Sequence, residues 1–180
     1  MTSHKVLLVP AIGLIGLLLA FRAHFTLYIA KGESMLPGLQ SGDLVLVDKR
    51  TYRAENPKRG DIVVARERDE LIVKRVVGLP GEEVELRQGG LYVNQRPLAE
   101  GYAVEPGWLN LRRGRLLEDR YALLGDNRSV SGPVFVHAIV SKDQILGKVI
   151  HSVSLWPGDG VRNSIRSHGI ARANPRNPHL

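Results

Sequence analysis

Most of this sequence is a succession of short runs that have the composition of β-strands. The runs are rich in valine, isoleucine and leucine, and glycine and proline residues separate them. A hairpin is indicated at Gly89 and Gly90, because apolar residues alternate on both sides of this turn. No long helical periodicity interrupts the runs, so we predict a mainly β, barrel-like antiparallel domain. The runs span residues 44–49, 60–66, 70–78, 82–98, 120–126 and 144–156.

The segment of residues 6–21, VLLVPAIGLIGLLLAF, carries no charge. Its length is close to the lower limit for a membrane-spanning helix, about 17 residues. A cleaved export signal would place small residues after the apolar core, whereas Phe21 and Arg22 follow Ala20 here. A helix in a soluble core would carry polar residues on one face. We therefore predict one N-terminal transmembrane helix that remains as a membrane anchor.

These patterns divide the chain into three regions. Residues 1–29 form the predicted anchor and its flank, and residues 30–156 form the β domain. Residues 157–180 are polar, basic and rich in glycine, asparagine and proline. Such a composition favours a flexible C-terminal tail.

The composition of the chain excludes several kinds of site. The 180 residues include no cysteine, which rules out disulfides, thiolate metal ligands and a cysteine nucleophile. The formal net charge is +7, which favours contact with nucleic acid or with anionic lipid. The basic residues form no dense run and no stacking aromatic residues lie among them, so we expect no nucleic-acid partner. The oligomeric state is left open.

A serine and a lysine form a candidate catalytic pair. Ser34 precedes a strand-like run, and a serine becomes a nucleophile only when a base removes its proton. None of the six histidines lies in a recognisable triad context. Lysine can serve instead if burial lowers its pKa by roughly two units from about 10.4. In a strand, Lys74 shares its face with Ile72 and Val76, which would bury it. An ordinary turn at Ser34 and a lysine that reaches solvent from a strand edge are the alternatives.

Four sequence boxes stand in this order along the chain: SMLPGL (34–39), VKRVVGLPGEEVELRQGGLYVNQRPL (73–98), YALLGDNR (121–128) and ILGKV (145–149). Together they resemble the type I signal peptidases, the membrane-anchored Ser/Lys proteases that remove export signals. The resemblance covers about residues 30–150 together with the anchor. It implies that the β domain is a catalytic domain of signal-peptidase type on the extracytoplasmic side of the cell membrane, in a single-pass protein. It also implies preprotein signal peptides as substrates, the lipid bilayer as a partner, and no metal or cofactor.

Carried over position by position, the resemblance implies that Ser34 is the nucleophile and Lys74 the general base. The backbone N–H of Ser34 would contribute to the oxyanion hole. Ser131 matches a family serine whose hydroxyl orients the lysine amine. Gly32 stands where some members carry a second hydroxyl donor, and glycine instead permits close approach of a substrate. The family's D-S-R sequence is replaced here by Pro133, Val134 and Phe135.

Two charged residues are predicted to support the site. Arg75 follows Lys74 and projects from the opposite face of the same strand. We predict that Asp126, in GDNR, pairs with Arg75 and holds the strand without placing a charge in the lysine pocket. A simple turn aspartate is the alternative for Asp126.

Two other functions compete with the peptidase hypothesis. A self-cleaving relative of the SOS repressors would use a similar Ser/Lys site, but it would carry a helix-turn-helix where this chain has an apolar segment. A catalytically silent, membrane-tethered binding module is suggested by the altered residues 133–135. The sequences GLPGE and GDNR favour the peptidase.

Overall fold

The computed structural model describes residues 3–129 and 137–155 of the chain. Helix α1, Ser3–His24, continues directly into the first strand. Among the helices of the described residues, none combines the length and the apolar character needed to cross a bilayer. The transmembrane anchor stays a prediction from the sequence.

The rest of the described chain is mainly strand. A short helix α2, Thr51–Ala54, and a single 3₁₀ turn, Lys142–Gln144, lie between strands. In chain order the strands are β1 Phe25–Ile29, β2 Leu44–Asp48, β3 Ile62–Glu67, β4 Glu70–Gly78, β5 Glu83–Arg87, β6 Gly90–Val93, β7 Arg96–Pro97, β8 Leu111–Arg115, β9 Arg120–Leu124, β10 His137–Ser141 and β11 Ile145–Val153.

The strands form two antiparallel sheets. The large sheet has the order β1-β2-β11-β3-β4-β9-β10, and the small sheet has the order β7-β6-β5-β8. The prediction of a mainly β, antiparallel domain is confirmed. The barrel-like closure is not found among the described strands, since β1 and β10 are the two edges of an open sheet. Register shifts in β11 bend this sheet without bringing the two edges together.

Three strands, β1, β8 and β10, lie outside the predicted runs. β1 falls within residues 1–29 and pairs with β2 along its whole length, so the large sheet begins inside the flank of the predicted anchor. β8, with the sequence LRRGR, pairs with β5. β8 is defined by its partner, because its three arginines leave no apolar alternation, whereas Phe25, Leu27 and Ile29 of β1 do alternate with more polar residues.

Three apolar clusters hold the sheets and their loops together. One lies between the two sheets, where β4 ends at Gly78. A Cβ at Gly78 would lie 2.6 Å from Val84 and 2.9 Å from Ala122, so the sheets cross at a point where only glycine fits. A second cluster packs the β1–β2 loop against the large sheet. This loop carries the candidate nucleophile.

Candidate active site

Ser34 lies in the loop of residues 30–43, between β1 and β2. Met35 and Leu39 of this loop are buried against the large sheet, which shows that Met35 is a core residue. Backbone hydrogen bonds of 2.8 Å join the two ends of the loop at its base. The loop therefore holds Ser34 in a fixed position over the sheet.

Lys74 lies in the middle of β4, between β3 and β9 in the large sheet. Its exposed fraction is only 4%, and Ile72 and Val76 on the same strand face are buried as well. The Nζ atom of Lys74 lies 2.5 Å from the Oγ atom of Ser34. Because β4 is an interior strand and the amine is buried, the alternative of a lysine that reaches solvent from a strand edge is wrong.

The environment of Lys74 favours an uncharged amine. Burial lowers the pKa of Lys74 from an ordinary value of 10.5 to about 8, while the charges of Glu67 and Asp126 act in the opposite direction and raise it. With that pKa, about a tenth of the amine is neutral at pH 7. An amine that is partly neutral near physiological pH thus lies beside the Ser34 hydroxyl.

The backbone around Ser34 is open on one side. Within the described residues, the N–H of Ser34 donates to no acceptor. Gly32 has a φ of +78°, which favours glycine, and a Cβ there would meet no atom within 4 Å. The N–H of Gly32 donates to Ser41 Oγ over 3.2 Å. The side of the loop that carries Gly32 therefore has space for another chain.

Arg75 and Asp126 form the buried pair that the sequence predicted. The guanidinium donates from Nε to Oδ1 over 2.8 Å and from Nη2 to Oδ2 over 2.6 Å. Arg75 also donates to the Gly60 carbonyl and stacks 3.9 Å above the ring of Tyr102. Asp126 has no exposed surface, so the simple turn aspartate is wrong. The pair joins β4 to the end of β9 on the face opposite Lys74.

The segment that follows β9, residues 125–128, packs directly against the Ser34 loop. The N–H of Asn127 donates to the Ser34 carbonyl over 3.0 Å, and its Nδ2 donates to the Glu33 carbonyl over 3.1 Å. A Cβ at Gly125 would lie 2.3 Å from the Ser34 carbonyl oxygen, so glycine is required there. Gly125 and Asn127 both belong to the GDNR box, but the sequence predicted no role for either residue.

Arg128, the last residue of that box, links this segment to the small sheet. Its side chain is fully buried and forms an ion pair of 2.6 Å with Glu100. It also donates to the carbonyls of Gly89 and Gly125, over 2.9 and 2.8 Å. The GDNR box therefore contacts the loop of residues 30–43, strand β4 and the small sheet.

The comparison with protein families agrees with this arrangement. The family described as signal peptidase, peptidase S26, matches residues 1–156. The chain belongs to this family. It is 36% identical over 133 residues to a probable signal peptidase I-2 of Synechocystis, which covers 69% of this chain and 60% of the relative.

Two further relatives carry the same family name. A signal peptidase I of Leptolyngbya laminosa is 34% identical over 135 residues, which cover 69% of this chain and 66% of the relative. The chain thus spans somewhat less than two thirds of the length of these two signal peptidases. A crystal structure of a signal peptidase I from Enterococcus faecalis V583 is 28% identical and has a TM-score of 0.45, covering 53% of this chain and 97% of the solved chain.

Some predicted signal-peptidase features lie outside the described residues. Ser131 and the altered residues 133–135 belong to this group. Within the described part of the chain, no group of three or more histidine, aspartate or glutamate residues could hold a metal ion. Of the predicted site residues that are described, Ser34 contacts Lys74, and Arg75 pairs with Asp126 behind it.

Proposed function

We propose that this chain is a membrane-tethered serine endopeptidase that cleaves N-terminal signal peptides from exported preproteins. The contact of 2.5 Å between the buried Lys74 amine and the Ser34 hydroxyl carries the proposal. The family to which the chain belongs supports the substrate class.

The reaction would proceed through a Ser/Lys dyad and an acyl-enzyme. Neutral Lys74 accepts the hydroxyl proton of Ser34, and Oγ attacks the carbonyl carbon of the scissile peptide bond. The C–N bond then breaks, the Lys74 ammonium gives its proton to the leaving amine, and an ester to Ser34 remains. Lys74 next takes a proton from water, the hydroxide attacks the ester carbonyl, and the C–O bond to Ser34 breaks as the Lys74 ammonium returns a proton to Oγ.

The tetrahedral intermediate needs hydrogen-bond donors for its oxyanion. The Ser34 N–H is a suitable donor, since it has no acceptor among the described residues. A hydroxyl at position 32 is missing, and the glycine there leaves room for the substrate backbone. We expect an extended substrate that adds main-chain hydrogen bonds to a strand edge, with small residues before the cleaved bond.

The tether is part of the same proposal. Residues 6–21 carry no charge, and Leu14, Leu17 and Leu18 of α1 are all more than half exposed. A contiguous exposed apolar surface of this kind is typical of a segment that contacts a membrane or another protein. A substrate held in the same membrane would meet the site at a high effective concentration. The resemblance to signal peptidases supports a single span in the cell membrane with the catalytic domain outside.

The test uses the full chain in detergent with a preprotein substrate. We expect wild-type protein to release a mature domain at one defined bond, and both Ser34→Ala and Lys74→Ala to abolish the release. Ser152→Ala and Lys58→Ala are matched controls on residues outside the site and should retain full activity.

The two competing functions predict other results. Cleavage of the chain itself, without cleavage of an added preprotein, would support the repressor-like alternative. Folded wild-type protein with no serine-dependent cleavage of any preprotein would support the binding module. Either result would overturn the proposed function.

A further inference from the structure

The side chain of Asn127 holds the peptide group that precedes Ser34. Its Nδ2 donates to the Glu33 carbonyl over 3.1 Å, although 94 positions separate the two residues in the chain. Asn127 is 4% exposed, so water does not readily replace this hydrogen bond. Nothing in the proposed mechanism uses this side chain, which touches neither Oγ of Ser34 nor the lysine.

The orientation of the Asn127 amide is fixed by its other neighbour. Its Oδ1 accepts two hydrogen bonds from Ser129, from the backbone N–H over 3.0 Å and from Oγ over 2.6 Å. If the amide were turned over, its NH₂ would face the Ser129 N–H and its oxygen would face the Glu33 carbonyl. The NH₂ group therefore must point at Glu33.

The Glu33 carbonyl accepts two hydrogen bonds, from Asn127 Nδ2 and from the Leu36 N–H, each over 3.1 Å, and together they set where the Ser34 N–H points. The Glu33 carbonyl and the Ser34 N–H belong to one planar peptide group, and the only cis peptide among the described residues is Leu36–Pro37. In a trans peptide the C=O and N–H bonds point in opposite directions. An amide that binds the Glu33 oxygen therefore turns the Ser34 N–H to the opposite side, where no described residue accepts it.

We propose that Asn127 is a positioning residue that orients the oxyanion-binding N–H of Ser34 through the Glu33–Ser34 peptide. The inference rests on the proposed function, since it assumes that Ser34 is the nucleophile. A second hydrogen bond, from the Asn127 N–H to the Ser34 carbonyl, is made by the backbone and survives changes of the side chain. Removing the side chain thus takes away one of the two hydrogen bonds to the Glu33 carbonyl, leaves the one from the Leu36 N–H, and keeps the loop attached.

The principal variant is Asn127→Ala. An oxyanion donor is worth about 10²–10³ in kcat, and a donor whose peptide group has lost one of its two hydrogen bonds keeps part of that effect. We expect kcat to fall roughly 10–100-fold while KM changes less than about twofold. Ser34 would add to a substrate-like peptide aldehyde and give a tetrahedral hemiacetal. The affinity for this aldehyde should fall by the same factor as kcat/KM. The pH midpoint of kcat/KM should not move, because Lys74 is untouched.

Asn110→Ala is the matched control. Asn110 also holds two backbone groups of a loop, donating to the Trp108 carbonyl over 2.9 Å and accepting from the Gln88 N–H over 2.8 Å. It lies beside the small sheet and not at Ser34. We expect its kcat and aldehyde affinity to remain within about twofold of wild type, a factor typical of a change that leaves transition-state contacts intact.

Ser129→Ala gives a second measurement that does not depend on replacing a buried residue. It removes one of the two donors that orient the amide, and Ser129 itself is exposed. We expect a loss in kcat of roughly threefold to tenfold with KM unchanged, smaller than in Asn127→Ala.

Two results would overturn the inference. One is Asn127→Ala with kcat within twofold of wild type. The other is a fall in kcat that has a different cause. In that case aldehyde affinity stays unchanged, or the unfolded fraction in a thermal melt fully explains the fall in kcat. If Ser34→Ala also cleaved preprotein, the proposed function itself would fail. An inactive Ser34→Ala beside a fully active Asn127→Ala would remove only the role of Asn127.

Discussion

The reactivity of Lys74 depends on a balance between lost hydration and nearby carboxylates. Burial lowers its pKa, and the charge of Glu67 is the largest influence that raises it. The neutral fraction of the amine therefore increases with pH up to about 8 and changes little above that value.

We expect kcat/KM to rise tenfold per pH unit below the pKa of Lys74 and to level off above it. Glu67→Gln removes a negative charge, which makes the ammonium less stable, so the midpoint should move to lower pH by a few tenths of a unit. Glu55→Gln is the control, since Glu55 does not influence Lys74. A midpoint that stays in place or rises in Glu67→Gln would contradict this account of the pKa.

Gly125 limits how closely β9 and the nucleophile loop can approach. A Cβ there would lie 2.3 Å from the Ser34 carbonyl oxygen and 3.3 Å from its Cβ, so Gly125→Ala must push the loop away from Lys74. A displacement of about 1 Å can reduce a rate by 10²-fold, and the strain should destabilise the fold by about 1–3 kcal/mol. Gly114→Ala is the control, because a Cβ at Gly114 meets no atom within 4 Å. Cleavage rates and urea unfolding of both variants would measure the difference, and full activity in Gly125→Ala would contradict it.

At the scale of elements, the pair between Arg75 and Asp126 connects β4 to the segment after β9. Both side chains are buried, so Asp126→Ala would leave a guanidinium without its partner in a dry environment. The free energy of unfolding should fall by about 3–5 kcal/mol. Glu55→Ala, which breaks an exposed pair with Lys58, should change it by less than about 1 kcal/mol. Urea unfolding of the two variants makes the comparison, and equal stabilities would show that the buried pair has no structural role.

The strands show which elements can be predicted from the sequence. The predicted run of residues 44–49 corresponds to β2 and that of residues 70–78 to β4, because short runs rich in aliphatic residues mark a strand by themselves. β8 was not predicted, since its three arginines conceal any alternation and its pairing with β5 defines it. Local composition identifies strands with one buried face, and it does not identify strands that exist only through a partner.

The same distinction applies to the site. Lys74 and its apolar neighbours lie within one strand, so the sequence alone offers a buried lysine as one possibility beside a lysine that reaches solvent. The contact of Asn127 with Glu33 spans 94 positions and depends on how β9 lies beside the loop. Strand patterns contain no information about that contact, and only the assembled sheet provides it.

At the scale of the molecule, the GDNR box joins three parts of the domain. Arg128 binds Glu100 and the Gly89 carbonyl near the small sheet, while Asn127 binds the loop that carries Ser34. The two sheets also meet at Gly78, where no side chain fits. The position of Ser34 therefore depends on the packing of the whole domain and not on its own loop alone.

The proposed membrane anchor, helix α1, should affect the cleavage only of substrates that lie in the same membrane. Each arginine near the middle of a membrane helix disfavours insertion by about 2.5–3.5 kcal/mol, so the double variant Leu14→Arg/Leu18→Arg should leave the membrane fraction. We expect cleavage of a membrane-inserted preprotein to fall roughly 10–100-fold, because the effective concentration of substrate is lost. A short soluble peptide should be cleaved as before, since α1 contributes nothing to the contact between Ser34 and Lys74. Leu117→Arg, at another exposed leucine, is the control and should stay membrane-bound. If the double variant sedimented with membranes as wild type does, α1 would not be the anchor.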